Sequence, residues 1–141
     1  MPLDPPLLKQ MDYTKYKSKT LSQLKATAVR HVHKFIRERD KEKPCISCGK
    51  YTTLQAGHFH SAGNHPITRF NEDNIHGQCK KCNYFLSGNL IPYHIELINR
   101  IGEERVIALQ DKISRSKQTG YKYDRFFLIE IIETYKAKNK R

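Results

Sequence analysis

The sequence predicts an α+β fold in which a small zinc-stabilised core of two strands and a helix is flanked by further helices. Three observations predict it. All four cysteines fall in two C-x-x-C pairs, Cys45 with Cys48 and Cys79 with Cys82. The chain around and between these pairs is rich in His, Asn and Gly and has no long periodic segment. The chain on either side has apolar residues at helical spacing, which indicates helices.

The chain divides by composition into an arm and one domain. Residues 1–19 carry three prolines and scattered lysines without an apolar period, so we expect an extended or disordered basic arm. A single domain is expected over 20–141. It would contain an N-terminal helix at 20–43, the zinc core at 44–90 and C-terminal helices at 91–141.

The N-terminal helix is predicted to start at a capping box formed by Thr20 and Gln23 and to end before Pro44. Its apolar residues at helical spacing are Leu21, Leu24, Ala28, Val29, Val32, Phe35 and Ile36. Its other face carries the basic residues Lys25, Arg30, Lys34, Arg37 and Arg39. These charges form either a solvated face or a stripe that faces DNA.

Three helices are expected in the C-terminal part. The first covers 91–100 and ends at Gly102, because glycine commonly follows the last helical turn. The second covers 103–114, and Asp124 caps the third. The apolar segment 126–132 belongs either to the core or to the interface of a homodimer.

The charge balance indicates a polyanionic partner. The chain has 26 Lys+Arg and 14 Asp+Glu, a net charge of +12. Lysine and arginine release counterions when they contact phosphates, which gives affinity for nucleic acid without base contacts. The alternative is a basic protein with no such partner. No apolar run reaches the ~18 residues of a membrane helix, and the N-terminus does not resemble a signal peptide, so we expect a cytoplasmic protein with no membrane partner.

The four cysteines predict one structural Zn²⁺ site. Paired C-x-x-C motifs in a reducing compartment indicate metal ligands rather than disulfides. Four thiolates complete the tetrahedral coordination of Zn²⁺ and leave no open position for a substrate. Cys45, Cys48, Cys79 and Cys82 are therefore the expected zinc ligands.

A second constellation lies around the same pairs. His58 follows Gly57, Asn74 lies in the middle of the loop, and Asn83 comes directly after Cys82. HNH (ββα-metal) nucleases have three such residues in this order: a histidine on a strand, a central asparagine, and an Asn or His at a helix. Such a site needs an imidazole that takes a proton from water and a divalent cation that binds the scissile phosphate. An amide oxygen suits a hard cation such as Mg²⁺.

Four stretches of the sequence resemble the NinG (Rap) recombination endonucleases of lambdoid phages. They are FIRERDKEKPCISCG, AGHFH, RFNEDNIHGQCKKCN and SGNLIPYHIELINRIG. The resemblance covers about 32–102. It implies a structure-selective nuclease that acts on branched recombination intermediates such as Holliday junctions and D-loops.

The resemblance also implies roles for three residues. His58 would be the general base, Asn83 would hold a catalytic Mg²⁺ or Mn²⁺, and Asn74 would hydrogen-bond the backbone of the loop that carries His58. His58 could instead be a core histidine bonded to a carbonyl, and Asn83 could cap the helix after the second cysteine pair.

One position departs from the HNH pattern. Many HNH enzymes carry an acidic metal ligand just before the base, and this chain has Gly57 there. The cation would then rest on Asn83 with waters and phosphate oxygens, or take a further ligand from His76, His60 or His65. We favour His76 among the three.

The reaction expected is hydrolysis of a DNA phosphodiester that leaves a 5′ phosphate and a 3′ hydroxyl. A competing interpretation is a non-enzymatic zinc-stabilised module that binds DNA or a recombination partner. It explains the cysteines and the charge, but not the spacing of His58, Asn74 and Asn83. A third is a nuclease with a sequence preference.

Overall fold

The computed structural model describes residues 11–140 and shows an α+β arrangement, as predicted. In chain order the helices and strands are α1 (Leu21–Asp40), β1 (Leu54–His58), β2 (Ile75–Cys79), α2 (Leu90–Ile101), α3 (Glu103–Thr119) and α4 (Arg125–Asn139). Short 3₁₀ helices occupy Thr14–Tyr16, Pro66–Thr68 and Glu72–Asn74, and a π-helix occupies Lys81–Phe85. No helix in the described part of the chain is both long and apolar enough to cross a membrane.

The described part of the chain divides into two compact units, and the single domain predicted over 20–141 includes parts of both. The terminal unit contains residues 11–35 and 123–140, and the central unit contains 36–122. Both C-x-x-C pairs and the three residues of the HNH pattern belong to the central unit. The sequence did not reveal the division, because α1 runs through the boundary at residue 36 without a break in its pattern.

The terminal unit is built from the first part of α1 and from α4. The Phe35 and Tyr135 rings meet edge to face, with centroids 5.3 Å apart, and Asn139 Nδ2 donates to the His31 carbonyl at 2.9 Å. The buried residues of the two helices in this unit are Leu24, Ala28, Val32, Leu128, Ile129, Ile131, Ile132, Thr134 and Tyr135. Segment 126–132 is therefore largely core, although Phe126 is exposed.

The capping predictions hold at both helices of this unit. Thr20 and Gln23 exchange hydrogen bonds of 2.9 and 3.1 Å between side chain and backbone, which is the expected capping box. Asp124 accepts from the Phe127 N–H at 2.9 Å at the start of α4.

The segment before α1 differs from the extended arm expected at 1–19. Residues 1–10 lie outside the described residues. In residues 11–19, Thr14–Tyr16 form a 3₁₀ helix. The Tyr16 side chain is buried, and its hydroxyl donates to Glu133. A buried aromatic side chain explains why this stretch is not extended.

The central unit is organised by a two-stranded antiparallel sheet. Leu54 of β1 lies opposite Cys79 of β2, and His58 lies opposite Ile75. Helices α2 and α3 follow, separated by Gly102 with a left-handed φ of 88°. A buried cluster joins both helices to the first cysteine pair and consists of Ile46, Tyr93, Leu97 and Val106. Helix α3 continues to Thr119, further than the expected 103–114.

The end of α1 is fixed to β2 by a buried ion pair. Asp40 is fully buried and accepts from the Gly77 N–H at 2.8 Å. Arg39 donates to Asp40 at 2.8 Å and to the Ile75 carbonyl at 2.8 Å. Burial opposes ionisation of Asp40, but hydrogen bonds from Arg39 and Gly77 outweigh it and lower the pKa of Asp40 to about 2. Arg39 therefore has a structural partner and is not part of a free basic stripe.

Candidate functional site

The four cysteines form one cluster. Cys45 and Cys48 lie in the turn before β1, Cys79 ends β2, and Cys82 lies in the π-helix. All four sulfurs lie within 4.8 Å of one another, and the Cys48 and Cys79 sulfurs are 3.8 Å apart. Four such sulfurs could bind a metal ion such as zinc.

Polar groups around the sulfurs favour metal binding. The Asn89 side-chain N–H donates to the Cys82 sulfur at 3.4 Å, and the Cys82 N–H donates to the Cys79 sulfur at 3.5 Å. Burial opposes ionisation of Cys45, but backbone N–H groups outweigh it and lower the pKa of this thiol to about 7. Burial raises the pKa of the Cys82 thiol to about 12. The thiolate is the form that binds a metal, so metal binding would release the Cys82 proton, and four sulfurs this close together fit zinc.

A cleft of about 440 Å³ brings His58 and Asn83 together. It lies between the end of β1, the loop after it and the segment that follows Cys82. Its described lining residues are His58, Phe59, His60, Ser61, Ala62, His65, Asn83, Ser87, Gly88 and Leu90. No acidic residue is among them. Two residues 25 positions apart in the chain, both with assigned roles in the nuclease pattern, thus share one concave surface.

A backbone carbonyl orients His58. His58 Nε2 lies 2.9 Å from the Arg69 carbonyl oxygen. A carbonyl can only accept, so Nε2 carries the proton and, in the neutral ring, Nδ1 carries the lone pair. Burial is the main cause that lowers the pKa of His58 below its usual 6.5. The ring is therefore neutral at pH 7 and able to accept a proton.

The Asn83 side chain is held from the opposite strand. Its Nδ2 donates to Gln55 Oε1 at 2.9 Å, so Oδ1 is the atom available to a cation. Asn83 is the third residue of the π-helix, and Lys80 is at the N-cap. The structure does not place Asn83 where it would cap this helix.

Asn74 joins the loop to the strand that bears His58. Its side chain is fully buried. Oδ1 accepts from the His60 N–H at 2.8 Å, and Nδ2 donates to the carbonyls of His60 at 3.0 Å and Thr68 at 3.2 Å. The Asn74 carbonyl also accepts from the Phe59 N–H at 2.9 Å. These bonds fix the backbone directly after His58.

The structure does not bring His76 to the cleft. His76 is 3% exposed, and its Nδ1 lies 3.4 Å from the Tyr93 hydroxyl. Burial is the main cause that lowers the pKa of His76 to about 3. His60 and His65 do line the cleft, with ring centroids 5.8 Å apart. His76, the favoured candidate for a further cation ligand, is therefore outside the cleft, whereas the other two candidates, His60 and His65, line it.

The space beside Gly57 is occupied by another side chain. A Cβ at this position would lie 2.1 Å from Gln78 Oε1 and 2.8 Å from Gln78 Cβ. Gln78 is buried, and its Nε2 donates to Ser47 Oγ at 2.8 Å. The acidic residue found before the base in many HNH enzymes therefore has no room here unless Gln78 moves.

Sequence reasoning missed the contacts that orient the site. The Arg69 carbonyl and the Gln55 side chain hold His58 and Asn83, and the Tyr93 hydroxyl donates to the Gly57 carbonyl at 2.7 Å. A backbone carbonyl has no sequence signal. The Gln55 contact depends on the fold of the π-helix, which no periodic pattern indicates.

The comparisons with known proteins give one family. The family described as "Bacteriophage Lambda NinG protein" matches residues 9–141, further in both directions than the 32–102 stretch that carries the motifs. The relatives named "Protein ninG" from Escherichia phage lambda and Escherichia phage 933W are 51% identical over 90 residues, and that from Salmonella phage P22 is 48% identical. The matched region is 62% of this chain and 44–45% of these relatives.

The chain therefore spans less than half of the length of the curated relatives it matches. No solved structure matches it. Since the family match covers nearly the whole chain, including the cysteine cluster and the cleft with His58 and Asn83, this chain belongs to the NinG family of bacteriophage lambda.

Proposed function

We propose that the chain is a metal-dependent DNA endonuclease of the HNH type. The observation that carries the proposal is the cleft that contains both His58, with a fixed tautomer, and Asn83, with an oriented amide. The cysteine cluster and the positive charge would suit a simple DNA-binding module equally well. Such a module would need no neutral imidazole beside an oxygen donor in a concave site.

His58 performs the proton transfer in this mechanism. Nε2–H donates to the Arg69 carbonyl, so Nδ1 accepts a proton from the water that attacks the phosphorus. The attack is in line with the departing 3′ oxygen, which leaves a 5′ phosphate and a 3′ hydroxyl. Because burial lowers the pKa of His58, the imidazole starts the reaction in its neutral form.

Asn83 is the protein ligand proposed for the catalytic cation. The cleft lining offers the amide oxygen of Asn83 and the hydroxyls of Ser61 and Ser87, which are hard donors that suit Mg²⁺ or Mn²⁺. When bound, the cation would stabilise negative charge on the scissile phosphate and the leaving oxygen. Because the described lining has no carboxylate, waters and DNA phosphate oxygens would have to complete the coordination of the cation.

The cysteine cluster has a structural role in this proposal. We assign Zn²⁺ to Cys45, Cys48, Cys79 and Cys82, because four thiolates fill its coordination shell. Asn83 follows Cys82 directly, and the carbonyl of Cys82 accepts from Gly88 N–H at 2.8 Å. The metal would thus fix the start of the segment that carries Asn83.

DNA is the proposed substrate, and branched DNA is the preferred form. The net charge is +12, and between residues 43 and 95 the only acidic residues are Glu72 and Asp73. Asp73 pairs with Arg105. A basic protein surface can bind DNA phosphates without contacts to the bases. The preference for branched DNA comes from the resemblance to the recombination endonucleases.

The proposal is tested by cleavage of a labelled four-way junction and of the matching linear duplex, with Mg²⁺, Mn²⁺ or EDTA. His58→Ala should lose about 10²–10⁴-fold in cleavage rate, the usual contribution of a general base. Asn83→Ala should lose cleavage as well, whereas Asn83→Asp keeps an oxygen ligand and should retain it. His31→Ala, a histidine in the terminal unit, is the control and should cleave like wild type.

Three outcomes decide the proposal. Cation-dependent cutting of the junction that is lost in a folded His58→Ala variant supports it. Binding of DNA without cutting under any cation contradicts the enzyme and leaves the zinc-stabilised binding module. Equal cutting of both substrates, or cutting at one sequence, contradicts only the preference for branched DNA.

A further inference from the structure

Two exposed aromatic side chains follow Asn83 directly. Tyr84 is 71% exposed and Phe85 is 66% exposed. Their ring centroids lie 5.1 Å apart with planes at 89°. Both belong to the π-helix that contains Asn83. They lie in the chain between Asn83 and Ser87, which line the cleft, but they are not among its described lining residues. Large aromatic side chains exposed to this extent bury no core surface, and the cleavage mechanism does not use them.

The segment that carries them is held rigidly. Leu86 N–H donates to the Lys81 carbonyl at 2.8 Å, and Gly88 N–H donates to the Cys82 carbonyl at 2.8 Å. Ser87 and Asn89 have left-handed φ angles of 50° and 42°. Such backbone angles cost energy for non-glycine residues and persist where surrounding bonds enforce them.

The exposed apolar surface continues past the aromatic pair. Leu86, Leu90, Ile91 and Ile95 are all exposed as well. Leu90 also lines the cleft. Six exposed apolar side chains thus fall within twelve residues of the chain, and large exposed apolar surfaces are typical of binding sites. We call these six side chains, from Tyr84 to Ile95, the apolar border.

The charge around the apolar border indicates the class of its partner. Residues 74–95 contain no Asp or Glu. The Lys80 ammonium lies 6.0 Å from the Phe85 ring centroid, and Lys50, Lys80 and Lys81 line the neighbouring pocket beside Leu86. Aromatic rings between lysines, with no acidic group in the segment, complement a chain of phosphates that carries flat apolar bases. A second copy of this surface would place lysine against lysine.

We infer that Tyr84 and Phe85 form a platform on which unpaired or unstacked bases stack at the branch point of DNA held in the cleft. The inference rests on the proposed DNA substrate and names the residues that select its branched form. Every base has a flat π face, so stacking on aromatic rings needs no particular sequence. In a linear duplex these faces are covered by neighbouring bases, whereas at a branch point they become accessible.

The test measures binding in EDTA, where no cleavage occurs. The affinities for a four-way junction and for the matching linear duplex are compared for the full chain with Tyr84→Ala and Phe85→Ala combined. Junction affinity should fall by about tenfold or more, within the range expected for lost base stacking. Duplex affinity should stay unchanged. A variant with Tyr84→Phe and Phe85→Tyr keeps both rings and should restore the junction preference.

A matched control and the oligomeric state complete the test. Ile107→Ala removes an exposed apolar side chain from α3 and should leave both affinities unchanged. Unchanged affinities in the double alanine variant, or an equal fall on both DNAs, would overturn the inference. So would a wild-type dimer that the double substitution converts to a monomer, since the border would then bind a second copy.

The failure of this inference is distinguishable from the failure of the proposed function. Cleavage that depends on His58 but keeps its junction preference in the double alanine variant would refute the platform alone. Junction binding that depends on Tyr84 and Phe85 without any cleavage would refute the enzyme alone.

Discussion

One backbone atom determines the tautomer of His58, the base of the proposed mechanism. The Arg69 carbonyl accepts from Nε2 and thereby fixes the proton on that nitrogen. The loop that carries this carbonyl is held in turn by Asn74, which bonds Thr68 and His60. In the proposed mechanism, the order His, Asn, Asn in the sequence corresponds to a base, a residue that fixes the backbone near the base, and an oxygen donor.

The first prediction concerns pH. Burial lowers the pKa of His58 below 6.5, and the neutral form is the base. Cleavage with Mg²⁺ should therefore be independent of His58 titration at pH 7–8 and should fall as the pH drops through a value below 6.5. Single-turnover cleavage rates from about pH 5 to 8 measure this. An acidic limb centred above 6.5 would contradict the assigned environment of His58.

The second prediction concerns the close packing of Gly57 against Gln78. Gly57→Ala places a methyl group 2.1 Å from Gln78 Oε1. Overpacking of this kind typically costs ~1–3 kcal/mol of the free energy of unfolding. Urea denaturation followed by circular dichroism measures the loss.

A matched glycine provides the control for Gly57→Ala. A Cβ at Gly63 would meet no atom within 4 Å, so Gly63→Ala should be neutral or slightly stabilising. Adding Gln78→Ala to the Gly57→Ala chain should recover part of the loss, because it removes the side chain that clashes. Equal effects at both glycines would show that the contact has no energetic weight.

At the scale of single residues, the side chains that line the cleft were easier to predict than the groups they contact. The spacing of His58 and Asn83 around the cysteines was enough to indicate a shared site, and both do line one cleft. His76 was placed there too, but it is buried against Tyr93 instead. His76 packs against Tyr93 of α2. This contact joins two different elements, so the local sequence pattern does not indicate it.

At the scale of elements, the cysteine cluster connects the segments around a very small sheet. The two strands have five residues each, and an isolated two-stranded sheet is only marginally stable in water. The cluster connects the turn before β1, the end of β2 and the π-helix. A metal bound there would stabilise these three elements together, because binding and folding are coupled in small metal sites.

The third prediction concerns removal of zinc. The purified chain should contain one tightly bound Zn²⁺, measured by elemental analysis. A strong chelator should remove it and lower the melting temperature. Added Zn²⁺ should restore the melting temperature, whereas Mg²⁺ alone should not, since the cluster offers only sulfur donors. A chelated, metal-free protein with the melting temperature of the untreated protein would contradict a structural role.

Most helices could be predicted, because their limits are set by local chemistry. The capping box at Thr20, the Asp124 cap and the Gly102 stop all lie where the sequence indicated. The π-helix and the 3₁₀ helices could not be predicted, since each has only three to five residues and no periodic pattern. The π-helix contains Cys82 of the cysteine cluster, and the Asn74 side chain joins the 3₁₀ helix Glu72–Asn74 to the backbone of His60 and Thr68.

At the scale of the whole molecule, the positive charge determines how the proposed DNA binding should respond to salt. The fourth prediction is a steep salt dependence. With a net charge of +12, affinity of His58→Ala for linear duplex in EDTA should fall by about tenfold or more between ~50 and ~200 mM salt. Fluorescence anisotropy at several salt concentrations measures the slope. Affinity that does not change with salt would contradict phosphate contacts as the source of binding.

The division into two units could not be read from composition. Residues 11–35 and 123–140 lie at opposite ends of the sequence and form one unit, which only long-range contacts such as Phe35 with Tyr135 reveal. The candidate site residues, in contrast, lie in one continuous stretch of the central unit. Their proximity could therefore be expected from local spacing, whereas the division into two units could not.

The contact between Gly57 and Gln78 also has an evolutionary consequence. One of the two positions can gain volume only if the other loses it. Relatives that carry an acidic residue at the position of Gly57 should therefore carry a small residue at the position of Gln78. Homologous sequences should show these two sites changing together, with single replacements at either site selected against.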